Sequence, residues 1–410
     1  MPAEFNAPTQ KWLTVVGIGE DGVAGLGDEA KRAISAAAHV FGGKRHLALA
    51  AELVRGAARP WPTPFDSEMR EVVALRGENV CVLASGDPFL HGVGVTLARV
   101  VPPAEMRVLP VPSAFSLAAS RLGWALQDVE TVSLHGHAID LIRPLLQPAA
   151  RIIALTSDGE APASIARLVV DSGFGASCLT VLEALGGASE RLRTATAESF
   201  DLENINPLNV LALELESSPQ ARVLPLVSGL ADDLFEHDGQ ITKREIRAVT
   251  LSTLAPRRGE LLWDIGAGSG SISIEWMLCH HSLRAIAIEH NADRAERIAR
   301  NANACGVPGL TVVSGAAPDA LAGLPTPDVI FVGGGGSETG VFDAAIAALR
   351  PGGRLVANAV TLEMEALLLA RHAALGGEML RLQVSRAASV GSMTGWRPAM
   401  PVTQWSWAKP

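Results

Sequence analysis

Short apolar runs alternate along the chain with longer, alanine-rich stretches. This alternation is typical of α/β proteins, in which helices cover parallel sheets, and it therefore predicts the α/β class. The runs are rich in Val, Ile and Leu, as expected for buried strands. The predicted strands include residues 13–16, 80–84, 152–155, 210–213, 261–263, 285–288 and 329–332.

The stretches between these runs carry apolar residues at helical spacing. Ala30, Ile34 and Ala37 follow this spacing in one stretch, and Ala295 and Ile298 begin the same pattern in another. Residues three, four and seven positions apart lie on one face of a helix. We expect these faces to pack on the sheets.

One segment interrupts the alternation. Residues 216–225, ESSPQARVLP, are polar, contain two prolines and follow a predicted strand. We interpret them as a linker between a first domain, residues 11–215, and a second domain, residues 226–408. Each half has a common size for a single domain.

Composition and charge exclude several classes of function. The 410 residues carry a net charge of −9, with no run of five Lys or Arg, which argues against nucleic-acid binding. The chain has no tyrosine, so no catalytic tyrosine is available. Its charge-free stretches, such as residues 108–120, are interrupted by prolines and are shorter than the ~18 apolar residues of a membrane span.

The cysteines, the histidines and the N-terminal residues indicate the cellular compartment and whether the protein binds a metal. The four cysteines form no C-x-x-C pair, which argues against a zinc ribbon and fits a reducing cytoplasm. Residues 1–10 include Glu4 and two prolines where a signal peptide would be apolar, so we expect a cytoplasmic protein. The histidines at 135 and 137 lack adjacent carboxylates or thiolates, and we interpret those at 280 and 281 in the same way, so we expect no metal.

The strongest motif is LLWDIGAGSGSISIEW, residues 261–276. A strand containing Asp264 runs into a glycine loop, and an amphipathic helix is predicted from about residue 272. The glycines let the backbone turn tightly and approach a ligand. A nicotinamide dinucleotide fingerprint would require glycine at 271, where this chain has Ser271. The candidate cofactor loop comprises Gly266, Ala267, Gly268, Ser269 and Gly270.

A carboxylate follows at the position that a ribose would need. Glu289 ends the next predicted strand, nineteen residues beyond Gly270, where its carboxylate can accept both hydroxyls of a ribose. Asp264, the glycine loop and Glu289 together resemble the arrangement of class I S-adenosylmethionine (SAM) methyltransferases. The alternative is that the glycines only pack a strand against a helix.

Two later predicted strands end at the same edge of the sheet as the glycine loop. Gly315 and Ala316 follow the predicted strand at residues 311–313, where we expect the adenine of the cofactor. Gly333 and Gly334 follow the strand at 329–332, where bare backbone admits a large, flat substrate. A flexible loop is the alternative interpretation of these last glycines.

The second half resembles the decarboxylating precorrin methyltransferases of cobalamin biosynthesis. The resemblance covers DGQITKREIRAVTLSTLAPRRGELLWDIGAGSGSISIEW, with IAIEHN and VSGAAPDAL behind it. The T-K-R-E-I-R block at residues 242–247 is its most particular part. The resemblance implies that Thr242 lies at the cofactor site. Arg244 and Arg247 are candidate substrate contacts, with a solvated helix face as the alternative.

The first half opens with a glycine loop of a different kind. Gly17, Gly19 and Gly22 match G-x-G-x-x-G behind a strand, which alone suggests a dinucleotide site. The next helix is predicted only from about Asp28, and the following strand ends in glycines with no acid for a ribose. A nicotinamide-dependent reductase is therefore the weaker hypothesis.

A second turn in this half is more informative. Residues 80–84 form a predicted strand that leads into Ser85 and then Gly86, Asp87 and Pro88. Gly permits an unusual backbone angle, Asp accepts a hydrogen bond, and Pro presets helix entry. An ordinary strand-to-helix turn explains these residues equally well.

Taken together, VVGIGEDG, SGDPFLHGVG, PVPSAFSLAASRLG and NPLNVLAL resemble the class III tetrapyrrole methylases, over residues 12–215. The resemblance implies a two-lobed α/β fold with SAM near Gly86, Asp87, Pro88, Ser113 and Ala114. It also implies that Gly17 and Gly19 face the tetrapyrrole. Two departures are Gly27, where the family usually has Thr, and His137, where Arg is common.

The two resemblances agree on one pathway. A class III domain fused to a class I, Rossmann-like domain implies methylation of a precorrin at C5 and C15, with loss of CO2 from the ring C acetate, giving precorrin-8. It implies two SAM sites, an anionic tetrapyrrole substrate and a homo-oligomer. No catalytic residue is singled out, because positioning an activated methyl group supplies most of the rate. Arg121, Arg386 and Arg397 are further substrate candidates by position.

The sequence leaves three alternatives to a precorrin methyltransferase. A nicotinamide-dependent reductase rests on the first glycine loop alone. An RNA methyltransferase is possible because both folds also serve RNA modification, although the charge opposes it. A domain that only senses SAM is the non-catalytic alternative.

Overall fold

The structure, a computed structural model, describes residues 11–410. The expectation of no signal peptide rests on residues 1–10, which lie outside the described residues. By its internal contacts the chain divides into two units. The first runs to Ile139 and includes Gln147–Arg222, and the second combines Asp140–Leu146 with Val223–Pro410. The break after Arg222 falls inside residues 216–225, which contain no helix or strand.

The first unit opens with a fully parallel sheet. Its elements are β1 (Leu13–Ile18), α1 (Asp28–Ala36), β2 (His39–Gly42), α2 (Lys44–Leu49), β3 (Ala57–Pro60), α3 (Arg70–Val73), β4 (Val80–Ser85), α4 (Val93–Leu97) and β5 (Met106–Leu109). The strand order is β3-β2-β4-β1-β5, and every neighbouring pair is parallel. The predicted strands at 13–16 and 80–84 are confirmed as β1 and β4, whose residues are almost all buried.

The second sheet of this unit is mainly antiparallel. Its elements are α5 (Ala114–Leu122), β6 (Glu130–Ser133), β7 (Arg151–Leu155), α6 (Ala161–Asp171), β8 (Cys178–Glu183), β9 (Arg191–Thr196) and β10 (Asn209–Glu214). In the order β6-β7-β10-β8-β9, only β6 and β7 run parallel. The expectation of parallel sheets throughout is therefore wrong here. No α-helix separates β8, β9 and β10, and antiparallel neighbours need no crossover helix.

The second unit contains a seven-stranded mixed sheet. Its elements are α7 (Arg244–Leu254), β11 (Leu261–Ile265), α8 (Ser271–Leu278), β12 (Arg284–Glu289), α9 (Ala292–Ala304), β13 (Thr311–Ser314), β14 (Val329–Val332), α10 (Val341–Ala348), β15 (Arg354–Ala359), α11 (Leu362–Leu375), β16 (Glu378–Leu382), β17 (Ser385–Val390), β18 (Met393–Pro398) and β19 (Val402–Ala408). Strands β13-β12-β11-β14-β15 are parallel. The α/β class is confirmed.

The antiparallel strand β19 lies between β15 and β16 and completes this sheet. It places Trp405 in the core, with no exposed surface. Strands β17 and β18 pair only with each other among the described strands, and they form a largely exposed hairpin between β16 and β19.

Helix α8 differs from the amphipathic helix that the sequence predicts. Residues 271–276 are all buried, including the charged Glu275. The helix contacts α7 and α9 as well as β11 and β12, so it has no solvent face along this part. No helix among residues 11–410 is long and apolar enough to cross a membrane.

Candidate cofactor and substrate sites

The glycine loop of the second unit joins β11 to α8 at the carboxyl end of the parallel strands. Gly266, Gly268 and Gly270 have φ angles of 72°, 60° and 76°, a region that favours glycine. A Cβ on Gly266 would lie 2.3 Å from the carbonyl oxygen of Gly334, so glycine at 266 lets two strand-end loops meet. A Cβ on Gly270 would lie 2.7 Å from Ile298. The loop is thus fixed against β14 on one side and α9 on the other.

Glu289 is buried beneath this loop at the end of β12. Its Oε2 accepts a hydrogen bond from Gly268 N at 2.8 Å, and its Oε1 accepts one from Asn291 N at 3.0 Å. Oε1 also lies 3.2 Å from His290 Nδ1, whereas Oε2 keeps a second lone pair for another donor. The carboxylate is therefore held in one orientation and can still accept hydroxyl groups.

Asp264 is a buried acid with one oxygen unused by the protein. Its Oδ2 accepts hydrogen bonds from Ser273 N at 3.2 Å and Ser273 Oγ at 2.7 Å. Its Oδ1 is buried and has no hydrogen-bond partner among residues 11–410. Burial raises the pKa of Asp264 to about 6; the Ser273 hydrogen bonds oppose this rise and the Glu289 charge adds to it. Such a group suits a ligand that brings a positive charge or a donor.

A cavity of about 890 Å³ opens over the loop. Among its lining residues are most of the candidates in this half: Thr242, Asp264, Gly266, Ala267, Gly268, Glu289, Gly315, Ala316, Gly333 and Gly334. Ser269 and Gly270 do not line it; Ser269 is buried, and Gly270 packs against α9. These candidates lie at the carboxyl ends of four parallel strands, β11, β12, β13 and β14, which meet at one edge of the sheet.

The far side of this cavity is apolar and was not predicted. Val360 follows β15, and Val384, Ala399 and Met400 flank the exposed hairpin. Arg386, a candidate by position, also lines the cavity and pairs with Glu245. No sequence motif marks these residues, because they meet only through the antiparallel insertion of the hairpin and β19.

Arg247 does not face the substrate, so that prediction is wrong. Its side chain is fully buried and forms an ion pair with Glu275. Its guanidinium also donates to the carbonyl oxygens of Thr242 and Leu230. The alternative of a solvated helix face is equally wrong for this residue. Arg247 instead fixes the backbone of Thr242 at the cavity wall.

Arg244 and Arg397 are placed differently. Arg244, the first residue of α7, is exposed and does not line the cavity. Arg397 lies in β18 directly opposite Arg386, and it does not line the cavity either.

In the first unit, the end of β1 and the loops after β4 and β5 converge. A Cβ on Gly17 would lie 2.0 Å from the carbonyl oxygen of Gly86, and Val111 N donates to that same oxygen at 3.3 Å. A Cβ on Gly86, whose φ is 55°, would lie 3.1 Å from Cα of Ser113. The predicted cofactor turn and the first glycine loop therefore touch.

The remaining candidates in this unit shape the same turns. Asp87 Oδ1 accepts from Phe89 N at 2.8 Å, and buried Pro88 follows it. Ser113 caps α5, which begins at Ala114, by accepting from Ser116 N at 3.1 Å. Gly19 lies beside the Asp21 carboxylate, where a Cβ would lie 2.7 Å from that side chain.

A polar cluster that sequence reasoning missed borders this edge. His46 Nε2 lies 2.8 Å from Ser85 Oγ and 3.0 Å from Arg45 Nη2, and Arg45 pairs with Glu20. Burial and then the Arg45 charge lower the pKa of His46 to about 4, so the imidazole is neutral near pH 7. Glu20 follows β1, Arg45 and His46 lie in α2, and Ser85 ends β4, so no local spacing signals their meeting.

The expected delay before the first helix is also observed. A short 3-10 helix at Gly22–Gly25 follows the first glycine loop, and α1 begins only at Asp28. Strand β2 ends at Gly42, with no acid there for a ribose. Within residues 11–410, no group of three His, Cys, Asp or Glu side chains is arranged to hold a metal ion.

The fold and the glycine-loop site define a class of protein: the chain is a SAM-dependent methyltransferase. Comparisons with known proteins narrow this class. The model of the family "Tetrapyrrole (Corrin/Porphyrin) Methylases" matches residues 12–201, and the model "Precorrin methyltransferase domain" matches residues 233–409.

Named relatives extend over nearly the whole chain. A precorrin-6Y C(5,15)-methyltransferase [decarboxylating] of Sinorhizobium sp is 64% identical over 398 residues, covering 97% of this chain and 96% of the relative. The protein of that name from Mycobacterium tuberculosis (strain CDC 1551 / Oshkosh) is 41% identical over 402 residues, covering 97% of this chain and 100% of the relative. The chain belongs to the decarboxylating precorrin-6Y C(5,15)-methyltransferase family.

Shorter matches are also found. A cobalt-precorrin-6B C(15)-methyltransferase (decarboxylating) of Salmonella typhimurium is 35% identical over 181 residues, which is 42% of this chain and 92% of the relative. The crystal structure of the C-terminal domain of precorrin-6Y C5,15-methyltransferase from Rhodobacter capsulatus has 50% identity and a TM-score of 0.43, and it covers 45% of this chain and all of that chain. The family resemblance is confirmed, and the reductase and RNA alternatives find no support.

Proposed function

We propose that this chain methylates a precorrin at C5 and C15 and removes CO2 from its ring C acetate, yielding precorrin-8 in cobalamin biosynthesis. The observation that carries this proposal is the match, over 97% of the chain, to a relative named for both methylations and the decarboxylation. We assign C5 to a first domain, residues 11–215, and C15 with decarboxylation to a second, residues 226–408, joined by a linker at 216–225.

The assignment of C5 and C15 methylation to different domains is supported by the shorter relative from Salmonella typhimurium. That protein is named for C15 methylation with decarboxylation alone, and its match covers 42% of this chain, a share comparable with that of the second domain. The second family model, for a precorrin methyltransferase domain, matches residues 233–409.

The second-domain cavity suits SAM, which supplies an activated methyl group when bound. Glu289 would accept the ribose hydroxyls, and the unpartnered Oδ1 of Asp264 would accept from a cationic ligand. Thr242 and the Gly315–Ala316 turn would close the sides of the site. The fit rests on the buried, unused acid oxygen and on a glycine loop with no side chains to obstruct a ligand.

A second SAM site in the first domain is part of the proposal. Gly86, Asp87, Pro88, Ser113 and Ala114 would bind that SAM, and Gly17 and Gly19 would face the macrocycle. The support is the close contact between the first glycine loop and the Gly86 turn, which only residues without a side chain permit.

A mass measurement tests the whole proposal. Purified chain is incubated with SAM and precorrin-6B, and the mass of the macrocycle is followed. Two methyl groups gained with one CO2 lost is the expected result. One methyl gained with CO2 lost would remove the C5 assignment, and an unchanged macrocycle would remove the substrate assignment.

A further inference from the structure

One wall of the second-domain cavity combines an apolar surface with the ion pair of an arginine and a glutamate. Val360, Val384 and Met400 line this wall, and Arg386 lies among them. Val384 directly precedes β17 and Arg386 is the second residue of that strand, and both side chains line the cavity. A flat macrocycle with carboxylates at its edge presents the complementary surface.

Arg386 is held by a partner that it can exchange. It pairs with Glu245, the second residue of α7, and both side chains are about half exposed, at 50% and 44%. An ion pair in that environment contributes little net stability. Replacement of the Glu245 carboxylate by a carboxylate of a ligand therefore costs little.

The other lysine and arginine side chains that line the cavity, Lys243 and Arg294, also have acidic partners. Arg294 shares the Asp238 carboxylate with Arg297, on the glycine-loop side. Lys243 lies 3.6 Å from Asp232 and offers a point charge rather than a planar fork. Arg386 is thus the guanidinium at the apolar wall that can bind a planar carboxylate through two hydrogen bonds.

We propose that Arg386 anchors a peripheral carboxylate of the tetrapyrrole in the second domain, while Val360, Val384 and Met400 support its flat face. Glu245 holds the guanidinium in position until the substrate replaces it. This inference rests on the proposed function for the identity of the substrate. The carboxylate concerned is one that survives the reaction, because a cation on the departing carboxylate would stabilise the ground state and slow the loss of CO2.

The hairpin supplies a matched control. Arg397 is the residue opposite Arg386 in the β17–β18 register, and it does not line the cavity. We compare Arg386→Gln with Arg397→Gln in the full chain, measuring methyl transfer with CO2 loss against precorrin-6B concentration. Arg386→Gln should raise KM by about 10- to 100-fold, the loss expected for hydrogen bonds to a charged group, with kcat retained at saturation. Arg397→Gln should leave both values unchanged.

The Glu245→Gln variant distinguishes binding of the substrate by Arg386 from a purely structural role of the Arg386–Glu245 ion pair. If Arg386 acts on the substrate, removing its competitor should lower KM or leave it unchanged. If the pair only stabilises the hairpin, Glu245→Gln and Arg386→Gln should raise KM alike, and that outcome would overturn the proposal. An Arg386→Gln enzyme with the wild-type KM would overturn it as well.

A binding measurement keeps this test independent of the proposed reaction. Each variant is titrated with an unreactive polycarboxylate porphyrin and, separately, with SAM. Weakened porphyrin binding by Arg386→Gln alone, with SAM binding intact, supports the anchor even if the wild-type chain does not convert precorrin-6B. Equal porphyrin affinity of Arg386→Gln and Arg397→Gln refutes it.

Discussion

At Asp264 a carboxyl group lies inside a strand, and in the described part of the chain its hydrogen-bond donors are the backbone and hydroxyl of Ser273. Burial of the charged form explains why its pKa rises to about 6 from an ordinary value near 4. The native state therefore binds a proton more tightly than the unfolded chain does. It follows that this carboxylate destabilises the ligand-free second domain above about pH 6, and that the penalty disappears as the pH falls towards 4.

Asp264→Asn should remove that penalty. We expect the ligand-free variant to be more stable than the wild type at pH 7.5, by up to about 3 kcal/mol, and the difference to vanish near pH 4. SAM affinity of the second domain should fall, because the acceptor for a cationic ligand is lost. Denaturant unfolding at both pH values and calorimetric SAM titration check this. A difference in stability that does not change with pH would contradict the explanation.

Arg247 illustrates what the sequence could not reveal about single residues. The T-K-R-E-I-R block marks α7, but helix position alone does not tell which arginine is solvated. The side chain is buried because Glu275, the charged residue of α8, offers a partner 28 positions later. Gly229 N and Leu230 N donate to the same carboxylate, which completes its hydrogen bonding.

Arg247→Met should therefore be costly, since it leaves the Glu275 carboxylate buried without its cation. We expect a loss of about 3–5 kcal/mol in the unfolding free energy of the second domain. The matched control Arg244→Met changes an exposed arginine of the same helix and should stay within about 0.5 kcal/mol. Chemical denaturation distinguishes the two, and equal stability of both variants would contradict the role given to Arg247.

Among the elements, the buried strands of the parallel sheets were the most predictable. Residues 13–16, 80–84, 261–263 and 285–288 lie within β1, β4, β11 and β12. Each is a short apolar run buried in a parallel sheet, where both faces are covered and periodicity is lost. The carboxyl ends of such strands meet at one edge, so the loop residues of the candidate site could be inferred as well.

The antiparallel elements were much less predictable. Alternation of strands and helices says nothing about strand direction when the connecting helix is absent, as between β8 and β10. The hairpin β17–β18 and strand β19 carry no motif, yet they bring Val384, Arg386 and Met400 to the cavity. The apolar wall of the site was missed for this reason.

Gly17→Ala tests the contact between the two loops of the first domain. Its Cβ would lie 2.0 Å from a backbone oxygen of the Gly86 turn, so the turn must shift. We expect the first-domain SAM site to be lost and C5 methylation to fall at least tenfold. Gly27→Ala is the control, because its Cβ would meet nothing within 4 Å. Calorimetry and product mass report both effects, and unchanged SAM binding by Gly17→Ala would argue against this site.

At the scale of the whole molecule, the proposed SAM sites of the two domains determine the number of SAM molecules bound per chain. Wild-type chain should bind two SAM molecules, and Glu289→Ala should bind one, because the ribose acceptor of the second domain is gone while the first domain is untouched. Methylation at C15 and loss of CO2 should stop together. Calorimetric titration gives the number of sites directly, and two sites of unchanged affinity in Glu289→Ala would exclude the ribose assignment.

The position of β19 also has a consequence for how the protein is made. This strand separates β15 from β16, so the central sheet of the second unit cannot be completed until the ribosome has passed Ala408. Until then the nascent domain exposes the edge of β15 and the space that Trp405 will fill, a surface prone to aggregation. The first unit faces no such delay, because its strands precede residue 216. Synthesis thus imposes an order of folding. The first unit can fold early, whereas the sheet of the second unit is completed only when β19 has been made.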